Sequence, residues 1–326
     1  MSELRNGIMG VCVGDALGVP VEFMAREDLA EQPVNGMQAY GTHRQPAGTW
    51  SDDTSLTLCL LDSLTHGLDV RDIMERFADW YVHGAYTPTG EAFDIGMGTR
   101  MAIDRFLRGT EPLDCGGLGE RNNGNGALMR SLPLVFYLRA VHGEGLARRI
   151  HEEPQIMEVI HDVCRLTHGH RRSQIACGLY VLIAEGLIGS EDREAAVRNG
   201  LEQAALWYKS LPDYVEELKE YSRLLDPGFH ALPEEQINSG GYVVHTLEAA
   251  LWCFLGSDRY RSCVLKAVNL GDDTDTVAAV SGGLAGLFYG FQSIPPEWVE
   301  TIVRRDFVED LCENAWQVFR GMRDHG

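Results

Sequence analysis

None of the eight cysteines is spaced as a CxxC pair, which argues against a zinc framework. Most of them, such as Cys12, Cys59, Cys164 and Cys253, sit singly inside apolar segments, the pattern of buried reduced thiols and not of a disulfide lattice. Positive charge is also scarce. With 28 Lys and Arg against 48 Asp and Glu, the formal net charge is -20, so most of the surface repels a phosphate backbone and nucleic acid is not an expected partner. No uninterrupted apolar run is long enough to span a bilayer and no basic-then-apolar leader opens the chain, so a soluble cytoplasmic protein without a membrane partner is expected. Alternating strand-like runs are few, and no internal repeat of solenoid period is present.

What remains is a helical chain. Of its 326 residues 44% are of hydrophobic types, enough for a large core, and the apolar spacing is helical nearly throughout. Val70, Ile73, Phe77, Trp80 and Tyr81 share one face, as do Ile156, Val159, Ile160 and Val163, while Phe307, Leu311, Trp316 and Phe319 outline a closing helix. The expectation is an all-α protein forming one domain over residues 1–326, acting as a monomer. Two stretches, Gly7-Gly10-Gly14-Gly18 and Gly282-Gly283-Ala285-Gly286, place small residues at helical spacing, where glycine costs stability unless something approaches the backbone closely. The segment from Cys115 to Gly126 reads as a loop, and the charged, proline-bearing segment from Leu211 to Pro233 as a surface excursion.

Polar chemistry gathers at two acidic clusters. Trp50-Ser51-Asp52-Asp53-Thr54 runs directly into the apolar helix of Leu56, Leu58, Leu60, Leu61 and Leu64, and by itself reads as a capped helix N-terminus. Gly271-Asp272-Asp273-Thr274-Asp275-Thr276 leads in the same way into Val277, Ala278, Ala279 and Val280. Two such clusters alter the balance: carboxylates and hydroxyls are hard ligands suited to Mg²⁺ or Mn²⁺, and paired ions can clamp substrate oxygens while activating a shared water.

Weaker signals flank the clusters. Glu22, in the run from Gly14 to Phe23, is an acid beside an aromatic, suited to a carboxyl tuned by partial burial, although a lone acid is more often solvated. Asp94, within Phe93-Asp94-Ile95-Gly96-Met97-Gly98-Thr99, reads equally as the cap of the helix holding Met101, Ile103 and Phe106. Asn122-Asn123-Gly124-Asn125-Gly126 offers backbone amides of the kind that hold phosphate, or is a plain connector. His168, closing an apolar helix, reads by itself as a structural histidine.

In this order, the segments Gly14 to Phe23, Trp50 to Thr54, Phe93 to Thr99, Asn123 to Arg130, Leu166 to His168 and Gly271 to Thr276 resemble the ADP-ribosylglycohydrolase family, which includes dinitrogenase reductase-activating glycohydrolases and ADP-ribosylhydrolases. The likeness implies a compact orthogonal helical bundle with a dinuclear Mg²⁺ or Mn²⁺ centre. Its ligands transfer to Ser51, Asp52, Asp53, Asp273, Asp275 and Thr276, and catalytic roles transfer to Glu22 and to Asp94, the latter matching a functional aspartate of arginine-specific members. ADP-ribose contacts transfer to Gly96, Gly98, Thr99, Asn122, Gly124, Asn125, Gly126, His168 and Tyr242. Ser51 stands where many members have threonine, and Asp272 where glycine is common.

The implied activity is metal-dependent removal of ADP-ribose from a modified protein, with N-glycosidic ADP-ribosyl-arginine favoured by Asp94. An O-glycosidase for ADP-ribosyl-serine or a small ADP-ribose derivative is the second reading. A noncatalytic ADP-ribose-binding module is the third, disfavoured because the whole acidic set is present.

Overall fold

The computed structural model describes residues 2–325, which hold sixteen α-helices and no strand; three isolated bridges pair Tyr40 with Gln45, Gly117 with His168 and Gly124 with Tyr242. Twelve helices have nine residues or more: α1 Ser2–Gly18, α2 Asp52–Leu64, α3 Val70–His83, α4 Met97–Leu107, α5 Pro133–His142, α6 Gln155–Arg165, α7 Arg171–Leu187, α8 Arg193–Lys209, α9 Val243–Leu255, α10 Tyr260–Val268, α11 Thr274–Tyr289 and α12 Arg305–His325. The all-α expectation therefore holds. Among the described residues no helix is long and apolar enough to cross a membrane, and all eight cysteines are buried and unpaired.

Local sequence explains where the amphipathic helices begin and which face they bury. The Asp69 side chain accepts from the amides of Arg71 and Asp72 to open α3, Gly84 closes it at φ 69°, and Ile73, Met74, Phe77 and Trp80 turn inward. Helix α6 buries Ile156, Ile160 and Val163, with Val159 at the margin. In α12 the deepest stripe is Val308, Cys312, Ala315 and Phe319, so Phe307 and Leu311 from the expected face are only half-buried flanks. The Leu211–Pro233 segment differs from the expected surface excursion. It folds into short helical turns that bury Leu218, Tyr221, Leu224 and Phe229, and the Tyr221 hydroxyl donates to the Arg172 carbonyl at 2.7 Å.

The glycine stripes explain the centre of the molecule. A Cβ on Gly10 would lie 2.3 Å from the Gly282 carbonyl oxygen, and one on Gly14 would lie 2.1 Å from that of Ala278. Helices α1 and α11 thus touch backbone to backbone, a separation that no larger residue permits, which offsets the ~0.5–1 kcal/mol each helical glycine costs. At the end of this seam the Thr274 hydroxyl donates to the Gly18 carbonyl at 2.8 Å. The start of α11 is therefore fixed beside the end of α1, although 256 residues separate those two positions.

Candidate active site

The first acidic cluster is a capped helix start that also does something else. Ser51 caps α2 by accepting from the Asp53 amide, but the capping residue is itself held by Asp15 on α1. The Asp15 carboxylate accepts from the Ser51 amide at 2.9 and 3.1 Å, the Thr54 amide at 3.0 Å and the Thr54 hydroxyl at 2.6 Å. Burial pushes the Asp15 pKa up to about 6 against the lowering effect of those donors. With its oxygens occupied, Asp15 positions the cluster and leaves Asp52 and Asp53 to face elsewhere.

The second cluster meets the first. Asp273 occupies the cap position of α11 without capping it, and its carboxylate accepts from Asn125 Nδ2 at 2.7 Å. Asp275 Oδ1 accepts from the Thr276 amide at 2.9 Å, and the Thr276 hydroxyl donates to Asp53 Oδ2 at 3.2 Å, joining the two helix starts. Asp272 stands at φ 58° and exchanges backbone hydrogen bonds with Phe23 and Met24. That left-handed backbone is the physical reason glycine suits the position, and aspartate is among the side chains that tolerate it.

These residues have the character of a cation site. Asp53 Oδ1 and Asp275 Oδ2 are buried without a hydrogen-bond partner, and among the described residues no lysine or arginine forms an ion pair with Asp52, Asp53, Asp273 or Asp275. Burial, with the neighbouring carboxylates second, pushes Asp52, Asp53 and Asp275 well above the usual carboxylate range. A set of hard oxygen donors with orphaned lone pairs and no countercharge fits divalent cations. Asp15, Asp53 and Asp275 each bring a carboxylate oxygen within 4.8 Å of the others, as do Glu22, Asp273 and Asp275.

Above this floor lie Glu22 and Asp94, brought together by a histidine that sequence reasoning missed. The Thr42 amide donates to the Pro20 carbonyl and the Thr42 hydroxyl to that of Glu22. That anchors a turn whose His43 Nε2 contacts Glu22 Oε2 and lies 3.8 Å from Asp94 Oδ1. Asp94 is not the cap of α4, because Gly96 holds that position; it stands at φ 57° with its carboxylate in this group. Burial pushes Glu22 to about 8, helped by the charge on Asp273, and Asp94 to about 8, helped by the charge on Glu22.

A cleft of about 430 Å³ opens over these groups. Glu22, Asp52, Asp94, Asp273 and Thr276 form its acidic side, and Gly96, Gly98, Thr99, Asn122, Gly124, Asn125, Gly126 and His168 line it as well. A Cβ on Gly126 would meet Thr99 Oγ1 at 2.7 Å and His168 Cε1 at 2.9 Å, so a larger residue there would displace those two side chains. His168 is buried and bonded to Thr167, and burial lowers its pKa to about 3, so it meets a ligand as a neutral ring. Ser51, Asp53 and Asp275 lie beneath the floor, outside the lining. Tyr242 also lies outside it: its hydroxyl is engaged by Arg172 at 3.0 Å and Glu220 at 3.3 Å, and its neighbour Gly241 reaches the cleft instead. Phe23, Ile95, Met97, Met101, Arg121 and Met129 complete the wall; of these, Met101 and Arg121 lie outside the segments that carry the resemblance.

The arrangement agrees with what the chain is similar to. The ADP-ribosylglycohydrolase family model matches residues 1–325. The chain belongs to the ADP-ribosylglycohydrolase family. It is 31% identical over 327 residues to the ADP-ribosylarginine hydrolase Tri1 of Serratia proteamaculans, covering 97% of this chain and 79% of that one. It is also 31% identical over 310 residues to the ADP-ribosyl-[dinitrogen reductase] glycohydrolase of Rhodospirillum rubrum, covering 91% and 89%. The ADP-ribosylhydrolase ARH3 of Danio rerio is more distant, at 23% identity. A solved structure described as an ADP-ribosylglycohydrolase-related protein complex superimposes with a TM-score of 0.73 at 32% identity, covering 97% of this chain and 98% of that one. This ADP-ribosylglycohydrolase is accordingly a glycosidase, with the all-α fold of its family.

Proposed function

We propose that this ADP-ribosylglycohydrolase cleaves the N-glycosidic bond between ADP-ribose and an arginine side chain of a modified protein, as a single domain, a cytoplasmic monomer, and an enzyme dependent on two Mg²⁺ or Mn²⁺ ions. The observation that carries the arginine assignment is Asp94: freed from a capping role and held in a left-handed backbone, it places a carboxylate in the cleft beside Glu22 and His43. A carboxylate accepts two parallel hydrogen bonds from a guanidinium, which suits this linkage better than a serine O-glycoside.

Ser51, Asp52, Asp53, Asp273, Asp275 and Thr276 would hold the ions. When bound, such ions neutralise the buried carboxylates, lower their pKa values and polarise ribose hydroxyls and water. Asp15 keeps the first ligand cluster in register and Asn125 orients Asp273. Glu22, steadied by His43, is placed to exchange a proton with the attacking water or the departing nitrogen. Water oxygen bonds to the anomeric carbon, and the electron pair of the C–N bond leaves with the guanidine nitrogen. The amides of Gly124 and Gly126 have no backbone partner among the described residues and suit the ADP-ribose phosphates, with His168 and Thr99 closing that side.

The test is release of ADP-ribose from arginine- and serine-modified proteins side by side, with and without Mg²⁺ or Mn²⁺. Metal-dependent release from arginine is expected; preferential release from serine would move the assignment to an O-glycosidase. Asp94→Ala should cripple arginine cleavage while preserving most of the affinity for free ADP-ribose, and equal loss of both would make Asp94 a structural residue.

A further inference from the structure

The cleft has a charge problem that the groups considered so far do not solve. Four carboxylates line it, His168 is neutral, and the protein carries a formal charge of -20, yet the proposed ligand brings a diphosphate. Cations at the acidic floor would offset charge there, while the wall formed by Gly124 to Gly126 offers only amides. Arg121 is the one cationic side chain among the cleft-lining residues.

The local structure presents this arginine and leaves it unengaged. Arg121 sits in a short helical turn, Glu120–Asn122, braced from both sides. Asn122 Oδ1 accepts from the Gly119 amide at 3.2 Å, and Asn123 Nδ2 donates to the Glu120 carbonyl at 3.0 Å. Asn123, itself buried, also accepts from the Ser173 hydroxyl at 2.9 Å, which fastens the turn to α7. Asn122 thus builds the turn as well as lining the cleft. Three other arginines are committed: Arg26 caps three backbone carbonyls, Arg130 is buried against the Gly126 and Val163 carbonyls, and Arg172 pairs with Glu217, while Arg44 and Arg100 do not line the cleft. Arg121 is exposed and, among the described residues, has neither an ion-pair nor a hydrogen-bond partner through its side chain.

We infer that Arg121 is a specificity-determining residue, whose guanidinium grips the diphosphate of the bound nucleotide while the glycine-rich loop behind it supplies amides. The inference rests on the proposed ADP-ribose ligand. A guanidinium presents paired donors that match phosphate oxygens, and an unpaired one needs no existing ion pair to be broken before it binds. It also explains how a strongly acidic protein accepts an anionic ligand.

The experiment is titration of ADP-ribose into the intact metal-loaded protein, comparing wild type with Arg121→Gln and Arg121→Lys at low and high salt. Arg121→Gln should bind about ten- to a hundredfold more weakly. Its affinity should also respond less to salt than that of wild type, because a screened charge pair has been removed; a merely structural role would leave the salt response unchanged. Arg121→Lys should recover part of the loss. Since the side chain is exposed, thermal unfolding should be unaffected. Wild-type binding with equal affinity and salt response in Arg121→Gln would overturn the assignment and leave the glycosidase reading standing. A wild-type protein that does not bind ADP-ribose would overturn both.

Discussion

The two acidic helix starts have nearly the same composition but are held in different ways. The head of α2 is fixed by side-chain chemistry: Ser51 caps it, and Asp15 gathers the Ser51 and Thr54 amides. The head of α11 is fixed chiefly by shape: glycines bring its backbone against α1, where the Thr274 hydroxyl ties it to Gly18, and Asp273 stands at the cap position with its carboxylate turned to Asn125. A carboxylate that caps its own helix has spent its lone pairs. Here a serine and a helix contact take over the work of positioning, so that Asp53 and Asp275 each keep a buried oxygen without a partner.

The comparison breaks most severely at those two oxygens. Asp53→Asn and Asp275→Asn should each abolish measurable hydrolysis and lower metal affinity while circular dichroism retains the helical signal, because each removes charge from a preformed oxygen site. A fully active Asp275→Asn protein with normal metal content would show that only one helix start serves the ions. Between the two starts, Glu22→Gln keeps size and hydrogen bonding but cannot exchange the proton. Single-turnover rates should fall about a hundred- to ten-thousandfold with metal and ADP-ribose still bound. A rate near wild type would demote Glu22 to a supporting residue.

The scaffolds themselves can be set against each other by denaturant unfolding. Gly14→Ala would place a Cβ 2.1 Å from the Ala278 carbonyl oxygen, so the helices must part, at about 1–3 kcal/mol or more. Asp15→Ala would strand the buried Ser51 and Thr54 amides, again costing about 1–3 kcal/mol. Metal affinity should fall in both variants, through α11 in the first and α2 in the second. An unchanged unfolding midpoint for Gly14→Ala would mean that the seam does not position the site.

The smallest expected effect is a pH dependence of the metal-free protein. Glu22 moves from an ordinary 4.5 to about 8 and Asp94 from 3.8 to about 8 on folding, so the folded state binds these protons more tightly than the unfolded chain. Their contribution is therefore full below about pH 4 and is lost as pH rises to about 8. Melting temperatures of metal-free protein should decline across that window, and added Mg²⁺ or Mn²⁺ should raise them more at its alkaline end. A melting temperature that rises with pH would reverse the sign assigned to these two carboxyls.

The short-range features of the site were legible. The acidic runs at helix starts, the loop before Ala127 and the single histidine after Thr167 all appear where their residue types suggest, because capping, helix start and turn formation depend on neighbours in the chain. Asp94 was ambiguous between cap and ligand, and only the observed start of α4 at Met97, with Gly96 as cap, resolves it. His43 and Arg121 carried no motif at all. Nothing singled out Asp15 either, because its partners lie 36 and 39 residues away.

By itself, then, the sequence determined the helical class, the buried thiols, the acidic helix starts and the need for close contact at the glycine stripes, since each follows from periodicity or from a residue's own backbone preferences. Only the tertiary structure decided that Gly10 meets Gly282, that Thr276 reaches Asp53 across 223 residues of chain, that Tyr242 stands outside the cleft and that Arg121 stands free in it. Those outcomes depend on which helices pack together, and packing is settled by shape complementarity between segments far apart in the chain, which no local spacing encodes.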